Sequence, residues 1–99
     1  MLVSAQDAVK FRYDAANEVT NTLTTGELEF LKNCPAPRIQ RDGNPVATPE
    51  EAIGAGLLSK GIIKQDGHKL SYTQLGSDVV KCIADREVLA NMRLTTWRA

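Results

Sequence analysis

The chain has 99 residues, of which 42% are apolar, and its formal net charge at pH 7 is zero. This length suits one domain with one hydrophobic core, and the apolar fraction excludes an intrinsically disordered chain. No apolar run approaches the roughly 18 residues that cross a bilayer. Asp7 interrupts the N-terminus where a secretion signal needs an apolar stretch. We therefore expect a cytoplasmic protein with no membrane partner.

The residues that carry metal or nucleophilic chemistry are few. Two distant cysteines, Cys34 and Cys82, and the single histidine, His68, do not supply a ligand set for zinc. The sequence contains no phosphate-binding glycine loop and no nucleophile motif. Without an export signal, both thiols are expected to stay reduced and to pack as small apolar side chains. We expect no enzyme, no cofactor and no small-molecule substrate.

The first predicted helix covers residues 4–23, with Ser4 as its N-terminal cap. Its apolar residues recur at helical spacing and gather on one alanine-rich face. Arg12 falls on the same face. Either its aliphatic stem covers apolar surface while the guanidinium reaches water, or the guanidinium pairs with a carboxylate across a protein interface.

The second predicted helix covers residues 24–33, because Thr24 and Glu27 have the spacing of a capping box. Pro35 prevents its continuation. The following residues, 34–47, contain two turn signals and no helical period, and they predict a loop or an irregular extended segment.

The third predicted helix covers residues 48–60. Thr48-Pro49-Glu50-Glu51 combines a capping threonine, a proline at the first helical position and a glutamate at the third. Gly61 follows as a left-handed C-terminal cap, and Ile62 is placed for the apolar contact that accompanies such a cap.

The rest of the chain predicts a β-hairpin over residues 62–72 and a helix over residues 73–92. Asp66-Gly67 gives a tight-turn signal between two short runs, and Ile62, Leu70 and Leu75 are expected in the core. The apolar stripe of the last helix moves to a rotated face after Arg86 and Glu87, where it consists of Val88, Leu89 and Met92. This helix either kinks near Asp85 or offers a second contact surface.

This order predicts a mainly α fold with a small β-hairpin, and two segments resemble the winged helix-turn-helix superfamily. Leu57-Leu58-Ser59-Lys60-Gly61-Ile62-Ile63 resembles the exit from a recognition helix into the wing, and Leu70-Ser71-Tyr72-Thr73-Gln74-Leu75-Gly76 resembles the return strand and the next helix start. The resemblance covers about residues 50–83. It implies one winged-helix domain over residues 1–99, with residues 48–60 in the position of the recognition helix, as in many bacterial regulators and small phage proteins.

The sequence departs from that family pattern in two places. The turn before a recognition helix normally has three or four residues, whereas residues 34–47 stand there. The outward side of the 48–60 helix carries Glu51, Gly54, Ala55 and Leu58, which lack the side chains that read base edges. Glutamates near the helix start also repel phosphate.

The resemblance implies a transcription regulator that binds double-stranded DNA. Basic charge is concentrated in the loop and the hairpin, and the predicted nucleic-acid-binding residues are Arg38, Arg41, Ser59, Lys60, Lys64, His68 and Lys69. Because phosphate contacts must follow one duplex, both arginines are expected on the same face as Lys64 and Lys69.

The alternative is a protein-binding winged helix, such as a phage-encoded inhibitor or an adaptor that acts on a host protein. The zero net charge favours it, and exposed apolar patches usually mark partner sites. The predicted interface residues are Arg12, Leu58, Val88, Leu89 and Met92. The same residues also suit a homodimer formed through the first helix and the end of the last one.

Overall fold

The computed structural model describes residues 5–33 and 41–97, and the side chains of residues 8–33 and 41–92. The described residues form α1 (Ala5–Asn21), α2 (Thr25–Asn33), α3 (Glu51–Ser59), β1 (Ile63–Asp66), β2 (Lys69–Tyr72) and α4 (Gln74–Trp97). The predicted mainly helical fold with one small antiparallel hairpin is confirmed. None of the helices in this part of the chain has the length and apolar character to span a bilayer.

The core lies where α4 meets the other helices and the hairpin. Its buried apolar residues are Ala16, Leu31, Val46, Leu57, Ile62, Ile63, Tyr72, Val79, Cys82 and Ile83. Cys82 therefore packs as predicted, and burial raises the pKa of its thiol, whereas Cys34 lies outside the described residues. Leu70 and Leu75 are half-buried against this core.

α1 and α4 run side by side in the same direction. Arg12 contacts Asp78, and further along both helices Asn17 and Asn21 contact Arg86. α4 continues to Trp97 without a break, five residues beyond the predicted end, so its last turns extend past the end of α1. The sequence left a kink or a second contact surface open, and the unbroken helix favours the second.

The start of α2 follows the predicted capping box. The Thr24 hydroxyl accepts a hydrogen bond from the Glu27 N–H at 3.2 Å, and Glu27 Oε1 accepts one from the Thr24 N–H at 2.9 Å. The end of α3 is also as predicted. Gly61 has a φ of 75°, and the N–H groups of Gly61 and Ile62 bond the carbonyls of Leu58 and Leu57, which is a Schellman motif.

The start of α3 differs from its prediction, which placed residues 48–50 inside the helix. The N-terminal cap is Glu50, whose φ of −57° and ψ of 150° are extended and whose side chain makes no capping hydrogen bond. The ring of Pro49 lies against Gly54, so closely that a Cβ at Gly54 would be 3.1 Å from Pro49 Cγ. This packing contact keeps the proline outside the helix, although the local sequence Thr48-Pro49-Glu50-Glu51 predicts a helix start at Thr48.

The hairpin lies between α3 and α4, as predicted, with its turn one residue later than expected. Ile63 pairs with Tyr72 and Asp66 with Lys69, so Gly67 and His68 form the two-residue turn. Gly67 has a φ of 63°, and among the described residues only glycines have positive φ. A glycine at the first turn position is the requirement of a type II′ turn.

Part of the predicted loop is a third extended segment beside the hairpin. Pro45 pairs with Ser71 as an isolated antiparallel bridge. The Gly43 N–H bonds the Tyr72 carbonyl at 2.8 Å, and the Val46 N–H bonds the Leu70 carbonyl at 3.0 Å. Residues 43–46 therefore line the free edge of β2, so of the two predicted alternatives the irregular extended segment applies to these residues.

Candidate binding surfaces

One candidate surface is the outer face of the hairpin. Residues directly opposite each other in a ladder share a face, so Lys64 lies on one side with Ser71, and Asp66 with Lys69. Ile63 and Tyr72 are buried on the opposite side. Lys64, Asp66 and Lys69 are all exposed. The two predicted DNA-binding lysines of the hairpin are therefore displayed together.

Arg41 belongs to the same region, because the 43–46 segment is attached to β2. Asp42, the next residue, accepts a hydrogen bond from Lys64 Nζ at 3.2 Å. Arg41 and His68 are exposed. We call Arg41, Lys64, His68 and Lys69 the basic cluster. Arg38, the other predicted loop arginine, lies outside the described residues.

Two carboxylates, Asp42 and Asp66, lie among these cations. The Asp42–Lys64 ion pair is about half exposed on both sides, and exposed pairs contribute only about 0–1 kcal/mol. A phosphate group could therefore replace Asp42 as the partner of Lys64 at small cost. The carboxylates nevertheless reduce the positive potential of the cluster.

Lys60 differs from the other predicted DNA-binding residues, because its ammonium has partners within the chain. It donates to the Thr22 carbonyl at 3.1 Å and binds the carboxylate of Glu27, whose side chain is 4% exposed. Burial raises the pKa of Glu27, but hydrogen bonds from Lys60 and Thr24 outweigh it and hold the pKa below its usual value. A phosphate bound to Lys60 would leave a buried carboxylate unpaired, so Lys60 serves the α2–α3 contact. Its neighbour Ser59 is exposed.

A second surface is the outward face of α3. Glu51 and Ala55 are exposed and Leu58 is 38% exposed, because residues 41–46 lie along β2 rather than across this helix. An adjoining shallow groove is lined by Gly26, Glu29, Phe30, Asn33, Thr48, Pro49, Glu50 and Ile53. Its glutamates make the start of α3 unfavourable for phosphate.

A third surface lies along α1 and α4. Arg12 binds Asp78 with both ends of its guanidinium, Nε to Oδ2 at 3.3 Å and Nη2 to Oδ1 at 3.0 Å. The carboxylate that Arg12 faces is therefore in the same chain, and the arginine side chain remains 56% exposed. The pair spans a groove of about 250 Å³, lined by Val9, Arg12, Tyr13, Ala16, Asp78, Lys81, Cys82 and Asp85.

Large apolar side chains are exposed along this third surface. Val88, Leu89 and Met92 are 55%, 56% and 60% exposed, in agreement with a second contact face on the last helix. Sequence reasoning missed Tyr13, which is 55% exposed, and the charged groove residues Lys81 and Asp85. The spacing of Asp78, Lys81 and Asp85 along one helix side could have identified the charged row.

The described residues contain no candidate metal site, and similar proteins give no further evidence on function. In residues 8–33 and 41–92, no three His, Cys, Asp or Glu side chains lie close enough to share a metal ion. No protein-family model, no curated protein and no solved structure matches this chain.

Proposed function

We propose that the chain is a small non-enzymatic winged-helix domain that binds double-stranded DNA as a transcription regulator. The observation that carries the proposal is the pairing of residues 43–46 with β2. This pairing brings Arg41 to the hairpin that displays Lys64, His68 and Lys69. The hairpin would then act as a wing whose cations contact phosphates of one duplex.

The proposed contact is with the DNA backbone rather than with base edges. The open face of α3 presents Ala55 and Leu58, which cannot form the hydrogen bonds that distinguish bases, and Glu50 and Glu51 stand at its start. Phosphate contacts position a protein on DNA but carry no sequence information directly. Binding should therefore depend strongly on salt and weakly on sequence.

The double variant Arg41→Ala/Lys69→Ala tests this proposal. Each lost phosphate contact lowers the slope of log affinity against log salt concentration by about 0.9, so the variant should lose about 2 from that slope. Fluorescence anisotropy with a labelled duplex, measured over a salt series, gives the slope. Lys10→Ala/Lys32→Ala removes the same charge from exposed positions on α1 and α2 and should leave the slope unchanged. Equal losses in both variants, or no wild-type binding at low salt, would contradict the proposal.

A second candidate function is protein binding through α3, favoured by the exposure of Leu58 near the end of this helix. The groove that carries Glu29 and Glu50 lies at the start of α3. The chain would then be an inhibitor or adaptor, and DNA binding would be absent. Leu58→Asp separates the two functions, because it adds a negative charge to α3 and leaves the basic cluster unchanged. Loss of a protein complex in Leu58→Asp, together with no DNA binding by the wild type at low salt, would favour this candidate. The measurement is a pull-down run beside the anisotropy series.

A further inference from the structure

We propose that two copies of the chain form a two-fold dimer in which α4 of each copy packs antiparallel against α4 and α1 of the other. The contact surface is the groove between α1 and α4 together with its continuation along α4. The proposal is independent of DNA binding, since the basic cluster lies on other elements.

The groove and the exposed apolar residues occupy the same side of α4. Asp78, Lys81 and Asp85 line the groove. Leu89 and Met92 follow Asp85 at spacings of four and seven residues, which places them on the same helix side, one and two turns further on. Each molecule thus presents a continuous surface with Leu89 and Met92 at one end, charged residues in the middle, and Val9 and Tyr13 beside the Arg12–Asp78 ion pair at the other end.

Two-fold symmetry brings the two ends of this surface together. An axis that crosses α4 midway between Lys81 and Asp85 places Leu89 of one copy level with Ser77 of the other. Arg12 and Asp78, 66 residues apart, are in contact, and α1 runs parallel to α4, so the level of Ser77 corresponds to Phe11 on α1. Val9 and Tyr13, the exposed groove residues of α1 other than Arg12, flank that level. The apolar end of α4 in one copy therefore meets Val9 and Tyr13 of the other, with the Arg12–Asp78 ion pair between these two residues.

The charges at the groove centre favour the same arrangement. Lys81 and Asp85 are exposed, and neither forms an ion pair with another side chain of residues 8–33 and 41–92. The same axis places Lys81 of each copy opposite Asp85 of the other, so two opposite-charge contacts form. A parallel arrangement of the two α4 helices would instead place Lys81 opposite Lys81. Charge thus favours the antiparallel dimer.

Two-fold symmetry also increases the area that the contact buries. Specific protein interfaces bury about 1,200–2,000 Å² in total, and the three exposed apolar side chains at the end of α4 form too small a patch for that alone. A two-fold interface is isologous, so every contact occurs twice. Contact of Val88, Leu89 and Met92 with Val9 and Tyr13 at both ends therefore doubles the area that a single contact would bury.

The mass of the full chain in solution tests the dimer, by sedimentation equilibrium without DNA at tens of micromolar protein. We expect the mass of two chains for the wild type and of one chain for Leu89→Asp, with the helical circular dichroism signal retained. Phe11→Asp is the matched control. Phe11 is 64% exposed but does not line the groove, so this variant should remain dimeric. A monomeric wild type, or dissociation by Phe11→Asp but not by Leu89→Asp, would overturn the proposal.

A charge exchange tests the register of the dimer. Lys81→Glu and Asp85→Lys each place like charges opposite each other at two symmetric contacts, and each should weaken dimerisation about tenfold. The double variant Lys81→Glu/Asp85→Lys restores opposite charges and should return the dissociation constant to near the wild-type value. If the double variant dimerises no better than the single ones, Lys81 and Asp85 do not face each other and the proposed axis is wrong.

Discussion

Replacing Lys60 with methionine is expected to lower the free energy of unfolding by about 3 kcal/mol at neutral pH, because breaking a buried ion pair leaves an uncompensated charge. The Glu27 side chain is 4% exposed, and its Oε2 has no hydrogen-bond partner among the described residues. A quarter of the Lys60 side chain remains exposed, so the effect should lie at the low end of the range for buried pairs. Urea or guanidinium unfolding measures it.

The effect of Lys60→Met should depend on pH in a defined direction. In the wild type the pKa of Glu27 lies below its usual value of 4.5. Its ionisation therefore contributes stability that is fully present above pH 4.5 and is lost as the pH falls through the folded-state pKa. Without Lys60, burial keeps its effect and the pKa of Glu27 rises above the wild-type value. The difference in stability between variant and wild type should then shrink as the pH falls, because a protonated Glu27 needs no cation.

Lys64→Met is the matched control for this prediction. It removes a lysine whose partner, Asp42, is about half exposed, as is Lys64 itself, so the expected change is below about 1 kcal/mol and shows little pH dependence. Equal effects of the two substitutions would mean that the Glu27–Lys60 pair contributes no more than a surface pair.

Glu27 and Lys60 also illustrate what the sequence could and could not predict. The capping box was visible because Thr24 and Glu27 are three residues apart and their bonds are local. The second partner of Glu27 is Lys60 at the end of α3, 33 residues away. A pattern of local spacing cannot predict a contact over this distance in sequence. For the same reason Lys60 was predicted as a DNA contact. Gly56 completes the arrangement, because a Cβ there would overlap the Glu27 carboxylate.

The difference between local patterns and contacts of distant residues also explains which other parts of the fold were predictable. Gly61 and the hairpin follow from glycine at left-handed positions and from short-range pairing, so both were predictable. The 43–46 segment contains turn signals, and its attachment to β2 depends on the burial of Val46 against the core, which local patterns do not encode. Pro49 likewise lies outside α3 because of a packing contact with Gly54. In the 43–46 segment and at Pro49, tertiary contacts therefore determine the structure more than the local sequence pattern does.

The candidate surfaces were predictable to different degrees. Helical periodicity placed Val88, Leu89 and Met92 outside the core stripe, and their exposure agrees. Lys81 and Asp85 were not predicted to belong to a binding surface, because charged residues on a helix are usually solvated. They line a groove only because α1 packs beside α4.

Gly76→Ala is expected to lower the free energy of unfolding by about 3 kcal/mol, the upper end of the usual cost of overpacking. Helix propensity alone predicts the opposite, since alanine is favoured over glycine by about 1 kcal/mol inside a helix. A Cβ at position 76 would overlap the carbonyl oxygen of Ile62. That oxygen is backbone and belongs to a fully buried residue, so it cannot move aside as the end of a flexible side chain could.

The surrounding hydrogen bonds make this position still less tolerant. The Ile62 carbonyl accepts the Thr73 N–H at 3.1 Å, and the Thr73 hydroxyl accepts the Gly76 N–H at 3.0 Å. A shift that relieved the overlap would therefore weaken both the junction between hairpin and α4 and the cap of α4, whose loss alone costs about 1 kcal/mol. Thermal or denaturant unfolding of Gly76→Ala measures the total.

Ser77→Ala, one residue further along α4, is the matched control for Gly76→Ala. Ser77 is 4% exposed, and its hydroxyl has no hydrogen-bond partner among the described residues. Removing an unsatisfied buried hydroxyl should leave stability unchanged or raise it. If Gly76→Ala were as harmless as Ser77→Ala, α4 would not contact the Ile62 carbonyl closely, and the hairpin would have to sit farther from α4. A loss confined to Gly76→Ala would instead identify this glycine as the residue that lets the hairpin and α4 meet.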